Sequence, residues 1–260
     1  MKRARYVAIS GASNGLGRAL ALAYASPGTV LGLCGRNAGA LDTVTELCRA
    51  KGAEVVASLV DVRDTRAVAQ WIGEFDDRFP LDLLIANAGI ASTLVSTASL
   101  EDAEVTAQVM VTNFQGAVNT LLPAVARMRN RRSGQVAIVS SLAALHGMAI
   151  SPAYCASKAA IKAYGESIRP ILARDGVTLS LVFPGFVKTA MSDVFPGDKP
   201  FLWTAERAAE HIRRGLMVPR AEIAFPASLA FGMRLLPLLP ASFADWILSR
   251  LSYLPREGLD

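Results

Sequence analysis

Tyr154 and Lys158 stand four residues apart in a stretch, 152–174, with helical patterning. Residues at i and i+4 share a helix face. An ammonium beside a phenol favours the phenolate, so the spacing predicts a tyrosine pKa pulled below its usual value near 10. Such a tyrosine can donate and accept a proton near neutrality. A bare Tyr-x3-Lys is common, and the pair needs company to mean anything. Ser141, thirteen residues before Tyr154, ends an apolar run and offers a hydroxyl. Asn113 is a polar residue inside a helical stretch.

A second group of residues suits a nucleotide. Ser10-Gly11-Ala12-Ser13-Asn14-Gly15-Leu16-Gly17 lies between a short β-rich run and a helical stretch. Glycines there let the backbone turn sharply and approach a pyrophosphate, whose charge a helix N-terminus favours. The spacing is Gly-x3-Gly-x-Gly rather than the commoner Gly-x-Gly-x-x-Gly, and alone it could be a tight turn. The next run ends Cys34-Gly35-Arg36-Asn37, where dinucleotide folds meet the adenosine ribose. No acid is present to bind a 2′-hydroxyl, while Arg36 can accommodate a 2′-phosphate. On its own Arg36 is equally an ordinary exposed arginine. Asp61-Val62 could meet an adenine, or Asp61 could cap a helix. Asn87-Ala88-Gly89 is a small-residue turn that would let a cofactor lie close, or a plain loop.

These residues need a scaffold that gathers strand ends. Apolar runs at Tyr6–Ser10, Val30–Cys34, Glu54–Val60, Asp82–Ala86, Gln135–Ser140 and Val177–Phe183 alternate with helical stretches near 15–26, 38–51, 64–79, 100–129 and 152–174. Continuous apolar strands between helices predict a parallel sheet covered on both faces, doubly wound by right-handed crossovers. Ligands bind beyond the carboxyl ends of such strands. After Pro184-Gly185 come a loop rich in Pro and Phe, a helical stretch Thr204–Met217, a strand candidate Ala221–Phe225 and a very apolar end, with a last helical stretch over Phe243–Leu251. The expected architecture is one α/β Rossmann domain over 1–260 with a seven-stranded parallel sheet. Residues 190–260 serve as substrate lid and apolar C-terminal extension of that domain.

Composition excludes other classes. The chain has 260 residues, 52% hydrophobic and 19% charged, which rules out intrinsic disorder. Three cysteines, Cys34, Cys48 and Cys155, make no disulfide framework, and no Cys or His pair has zinc spacing, so no metal is expected. A reducing cytoplasm fits. The net charge of +5 is mild, and the run Arg127, Arg129, Arg131, Arg132 reads as a solvated helix end, with no aromatic interleaving to suggest nucleic acid. No apolar stretch reaches the roughly 18 residues of a membrane span.

Taken together, Gly11, Gly15 and Gly17, Asp61-Val62, Asn87-Ala88-Gly89, Asn113, Ser141, Tyr154, Lys158 and Pro184-Gly185-Phe186-Val187-Lys188-Thr189 resemble the short-chain dehydrogenase/reductase family in its compact single-domain form. They follow the family's order and spacing over about residues 5 to 190. The resemblance implies hydride transfer between NADP(H) and a carbonyl/secondary-alcohol pair. Tyr154 would protonate the carbonyl oxygen, Lys158 would hold the nicotinamide ribose, and Ser141 would bond the substrate oxygen. Asn113 would hold a relay water, and Val187 and Thr189 would contact the carboxamide and nearby phosphates. Ser13, Asn14, Leu16, Pro184 and Gly185 join the expected cofactor contacts. Ser10 stands where the family usually has Thr, and Asn14 where NADP-preferring relatives often have Lys or Arg. Ile161 stands at the Tyr-x6-Lys offset of enoyl reductases, which argues against double-bond reduction.

Specificity in this fold is expected from the loops Ala91–Ser99, Leu142–Ser151 and Met191–Trp203. Phe186, Met191, Phe195, Phe201, Leu202 and Trp203 suggest an apolar lid over a lipid or steroid-like ketone, or simple lid packing. The other readings are a keto-sugar reductase in surface polysaccharide synthesis, marked by a polar site around His146 and Ser151, and a non-catalytic NADP(H) sensor. His146 is expected on a loop surface and Cys155 buried and inert. The tail closes the core, joins a homodimer or homotetramer, or lies on a membrane surface.

Overall fold

Hydrophobic side chains alternate between two layers along nearly every strand, and that alternation builds the domain. The computed structural model describes residues 4–94, 100–195 and 198–250. Part of the expected loop 91–99, Pro196 of the lid region and Leu251 of the last helix lie outside the described residues.

Seven parallel strands form one sheet: β1 (Tyr6–Ser10), β2 (Val30–Gly35), β3 (Glu54–Leu59), β4 (Leu83–Ala86), β5 (Gly134–Val139), β6 (Val177–Pro184) and, from the tail, the strand Glu222–Phe225. The chain first winds outward from β1 to β3, then returns to place β4 on the other side of β1. The order is β3-β2-β1-β4-β5-β6 followed by the tail strand. The reversal between β1 and β4 opens a crevice at their carboxyl ends.

Helices cover both faces. On one lie α1 (Gly15–Tyr24), α2 (Ala38–Ala50) and a later helix, Ala205–Gly215, packed on Val7, Ile9, Leu31, Leu33, Leu83 and Ile85. On the other lie α3 (Thr65–Arg78), α4 (Ala103–Met110), α5 (Gly116–Asn130) and α6 (Pro152–Arg174). Ala8, Leu84, Val136, Ile138, Leu179, Leu181 and Phe183 face that layer. The expected helix 100–129 is divided: a π-helical turn, Val111–Gln115, separates α4 from α5 and carries Asn113. Single π turns inside α-helices widen the backbone locally and favour functional positions.

The chain after β6 contributes β7 (Val187–Lys188), α7 (Ala190–Asp193), β8 (Trp203–Thr204), α8 (Ala205–Gly215), the seventh sheet strand β9 (Glu222–Phe225), α9 (Ala227–Leu235) and α10 (Ala241–Arg250). The described residues of 190–250 are therefore partly sheet and core. Trp203 does not cap a lid, because its ring stacks on Phe225 at 4.9 Å. Phe201 and Leu202 are exposed. The basic run is held by carboxylates: Arg127 and Arg131 both pair with buried Asp76, and Arg129 pairs with Asp175. No helix among the described residues is long and apolar enough to cross a membrane.

One hydroxyl fixes the crevice. Ser10 Oγ accepts from the backbone N–H groups of Asn87 (3.1 Å) and Ala88 (3.2 Å), while Asn87 Nδ2 donates to the carbonyls of Ser10 and Gly11. Ser10 is 1% exposed, so removing its oxygen strands two donors. We expect Ser10→Ala to lower unfolding free energy by about 1–3 kcal/mol in urea titration. An unchanged midpoint and slope would refute the role given to this hydroxyl.

Candidate active site

The crevice deepens into a cleft of about 470 Å³, within the usual range for small-molecule sites. Every strand end read as functional reaches it. Gly11, Ser13, Asn14, Gly15, Leu16 and Gly17 line it, as do Arg36, Val62, Asn87, Ala88 and Gly89, and Ser141, Tyr154, Lys158, Pro184, Gly185, Val187 and Thr189.

The glycine turn is shaped by close backbone approach. Gly11 has φ +66°, and a Cβ there would stand 2.7 Å from Ala88 Cα. A Cβ on Gly17 would meet the Gly11 carbonyl oxygen at 2.0 Å, so α1 can begin here only without a side chain. The result is a helix N-terminus aimed into the cleft beside a bare backbone, a cradle suited to a pyrophosphate. Val187 is buried, and Thr189 caps α7 through Ser192 with its methyl against Gly15.

Near Arg36, Asp61 departs from expectation. It does not line the cleft, and it does not cap α3, whose N-cap is Asp64. Arg63 grips the Asp61 carboxylate with a two-nitrogen fork, closest contact 2.6 Å, and holds its pKa below the usual carboxylate range. Arg36 stands farther from Asp61, at 3.7 Å, and its side chain is half exposed beside Ser13 and Asn37 at the cleft rim. Thr112, not singled out from sequence, lines the cleft with a buried hydroxyl that has no partner in the protein. An orphaned buried hydroxyl is costly unless a ligand or water meets it.

Tyr154 and Lys158 do share a face of α6, the ammonium 5.7 Å from the ring centroid. Ser141 stands close enough to the phenol to lower its pKa, and its hydroxyl donates to the Pro184 carbonyl at 3.4 Å. Its Oγ also accepts from Ala143 N at 3.1 Å. The expected lowering of the tyrosine pKa is not what this arrangement gives. Burial pushes Tyr154 up to about 12, outweighing the Ser141 hydroxyl that lowers it. Burial likewise pushes Lys158 down to about 8. Desolvation favours the neutral form of both groups, and the lysine donates its hydrogen bond to the Val139 carbonyl at 3.0 Å rather than to the phenol.

Asn113 uses its side chain within the protein. It is 1% exposed and does not line the cleft. Its Oδ1 accepts from Ile90 N at 2.8 Å, while Nδ2 donates to Ile90 O at 2.8 Å and Ser157 Oγ at 2.9 Å. The amide is occupied in clamping the loop after β4 to α6. It remains close to the chemistry, since a Cβ on Gly89 would lie 3.1 Å from Asn113 Oδ1 and 3.5 Å from Lys158 Nζ.

Beyond Tyr154 the cleft turns apolar, walled by Met148, Phe186, Met191, Phe195, Leu229 and Met233. Leu229 and Met233, one turn apart on α9, gave no chemical signal in sequence. Ser151 and Thr93 are polar exceptions in this region. His146 does not reach the cleft; it lines a separate shallow groove with Cys155, whose buried thiol is pushed up to about 11. No metal-binding group of His, Cys, Asp or Glu occurs among the described residues.

Comparison with known proteins gives one answer for fold and family. The family model described as short chain dehydrogenase matches residues 5–199. An uncharacterized oxidoreductase of Myxococcus xanthus is 34% identical over 248 residues, covering 95% of this chain and 97% of that protein. Two solved structures share the fold. An alcohol dehydrogenase of Thermococcus sibiricus complexed with 5-hydroxy-NADP has a TM-score of 0.74 at 24% identity, covering 85% of this chain and 94% of that one. A short chain dehydrogenase of Mycobacterium paratuberculosis bound to NAD has a TM-score of 0.76 at 22% identity, covering 87% and 97%.

The buried lysine carries a stability signature. With Lys158 at about 8 in the fold and 10.5 when exposed, the unfolded chain holds the proton over pH 8–10.5, so the lysine's destabilisation is full below pH 8 and fades across that window. Lys158→Met should therefore be more stable than the parent below pH 8 by about 3 kcal/mol, the gap closing towards pH 10.5. Paired denaturant titrations across pH read the difference, in which the opposing contributions of Tyr154 and the cysteines cancel. A gap that stays constant with pH would contradict a desolvated lysine.

Proposed function

The chain belongs to the short-chain dehydrogenase family, a family of oxidoreductases that use nicotinamide cofactors, and on that footing we propose that it is an NADP(H)-dependent enzyme interconverting a bulky hydrophobic ketone and its secondary alcohol. The observation that carries this reading is the continuity of the cleft, from a glycine cradle past the Tyr154–Lys158–Ser141 group into an apolar chamber.

The residues present fit a dinucleotide. The bare cradle at Gly11–Gly17 suits a pyrophosphate, the unpartnered Thr112 hydroxyl offers a hydrogen bond, and Arg36 with Ser13 suits a 2′-phosphate. Lys158 would hold the nicotinamide ribose, with Val187 and Thr189 near the carboxamide and phosphates. When bound, the nicotinamide supplies or accepts a hydride at the substrate carbon. The chain's own residues manage the oxygen. Ser141 and Tyr154 present two hydroxyls to it, and Tyr154 gives or takes its proton. A neutral phenol, favoured by burial, is the form required to protonate a carbonyl oxygen. Lys158, near 8, can then take up or release a proton close to physiological pH.

Hydrophobic substrate preference is supported by the six apolar residues around the chamber and by the absence of His146 from it. The same reading takes the chain as a cytoplasmic homodimer or homotetramer. Phe231, Leu235, Leu238, Phe243 and Trp246 on the last helices are exposed and give a second copy a surface to cover, with a lipid surface as its rival.

Steady-state oxidation of NADPH against steroid, retinoid, long-chain and sugar-nucleotide ketones tests the function. Tyr154→Phe should cut kcat by about 100- to 10,000-fold while NADPH still binds. A sugar-nucleotide ketone turned over best would overturn the hydrophobic assignment, and tight NADPH binding without turnover of any ketone would favour a sensor. Arg36→Ala should raise the KM for NADPH by about tenfold or more with little effect on NADH. Equal effects on both cofactors would remove the case for NADP(H).

A further inference from the structure

The helix that carries Tyr154 and Lys158 begins without a local cap. Ser151 occupies the N-cap position of α6 but makes no side-chain cap hydrogen bond, and Pro152 has no N–H to offer. The first backbone donor of the helix is Ala153 N, immediately before Tyr154. Its acceptor comes from 52 residues away: Ala153 N donates to Glu101 Oε2 at 2.6 Å. The other oxygen of the same carboxylate, Oε1, accepts from the Ser92 hydroxyl. Glu101 is partly buried in this position, and its charge lies where the helix dipole favours an anion.

The partners identify what the carboxylate joins. Ala91 and Thr93, the neighbours of Ser92, line the cleft, as do Met148 and Ser151 just before α6. A backbone bond from Leu94 N to Ile150 O, 2.8 Å, runs alongside. The carboxylate thus ties one substrate wall to the first turn of the helix that presents the proton donor. A substrate pressing on residues 91–93 acts through Glu101 on the backbone position next to Tyr154.

We propose that Glu101 is a positioning and specificity residue, a carboxylate strap that replaces the missing N-cap of α6 and sets the substrate wall around Ser92 in register with Tyr154. This rests on the reading of Tyr154 as the proton donor. Glu101 does not touch the cleft itself.

The strap is tested by comparing Glu101→Ala, Glu101→Gln and Ser92→Ala with the parent, by two readouts. Hydrogen–deuterium exchange on the NADPH-bound protein follows peptides covering Leu94 and Ala153. Glu101→Ala should speed their exchange by about tenfold or more while amides of β4 and β5 keep their protection. Ser92→Ala should speed only the Leu94 peptide. Kinetics on the best ketone of the panel supply the second readout. Ser92→Ala should raise KM about three- to tenfold at unchanged kcat, Glu101→Ala should raise KM and also lower kcat about tenfold, and Glu101→Gln, which keeps an acceptor for Ala153 and a donor for Ser92, should restore both to within about threefold. Unchanged exchange at both peptides, or a Glu101→Ala enzyme with the parent kcat and KM, would overturn the strap. A gain in exchange spread evenly over the whole chain would also overturn it, showing mere loss of stability. If the parent turns over no ketone, the fault lies with the proposed activity, and the exchange pattern alone decides on Glu101.

Discussion

The site hangs on the stitch between the ends of β1 and β4. Parallel strands at a reversal in winding diverge beyond their carboxyl ends, because the following turns leave in opposite directions. Here the Ser10 hydroxyl receives two backbone donors from the β4 end, and the Asn87 amide returns two bonds to the β1 end. The reciprocal arrangement uses up the polar backbone at the base of the crevice. It fixes the distance between the glycine turn and the Asn87–Gly89 turn, and therefore the width of the cradle. Gly11 can press against Ala88 because neither side carries bulk there.

From that base, α6 is the element that brings Tyr154 and Lys158 to the cleft. Three hydrogen bonds hold it around Lys158, two to the end of β5 and one to the π turn. Ser140 Oγ donates to the Lys158 carbonyl, Lys158 Nζ donates to the Val139 carbonyl, and Asn113 reaches Ser157 from the π turn. Such anchoring places the phenol and the ammonium in a desolvated setting. Burial then moves their pKa values apart, the acid up and the base down, so both are neutral over a broad range around pH 8–12. An electrostatic pairing argument alone predicts the opposite sign for the tyrosine. Desolvation outweighs it because the lysine's nearest acceptor is a backbone carbonyl and not the phenolate oxygen.

The helix α9 connects the chamber to the exterior of the molecule. One side of α9 presents Leu229 and Met233 to the cleft, and Ala230 and Met233 pack into the core. The other side presents Phe231 and Leu235 outward. The chamber wall and the exposed apolar row are therefore two faces of the same short helix, and a change in what covers one face would be felt at the other.

Much of this was legible in the sequence. Continuous apolar runs separated by helical stretches gave the parallel sheet, and their ends named many of the cleft residues, since strand carboxyl ends converge by topology. What sequence could not supply was contact between distant side chains. Glu101 capping Ala153, Arg63 taking Asp61 away from the cleft, Asn113 turned onto Ile90 and Trp203 stacked on Phe225 all depend on which loops meet. The apolar wall from Leu229 and Met233 was hidden for another reason: leucine and methionine a turn apart look the same whether they face a core or a substrate. The sign of the Tyr154 pKa shift also belongs to tertiary structure. Residue spacing sets which groups are neighbours, but only packing sets how much water each one loses.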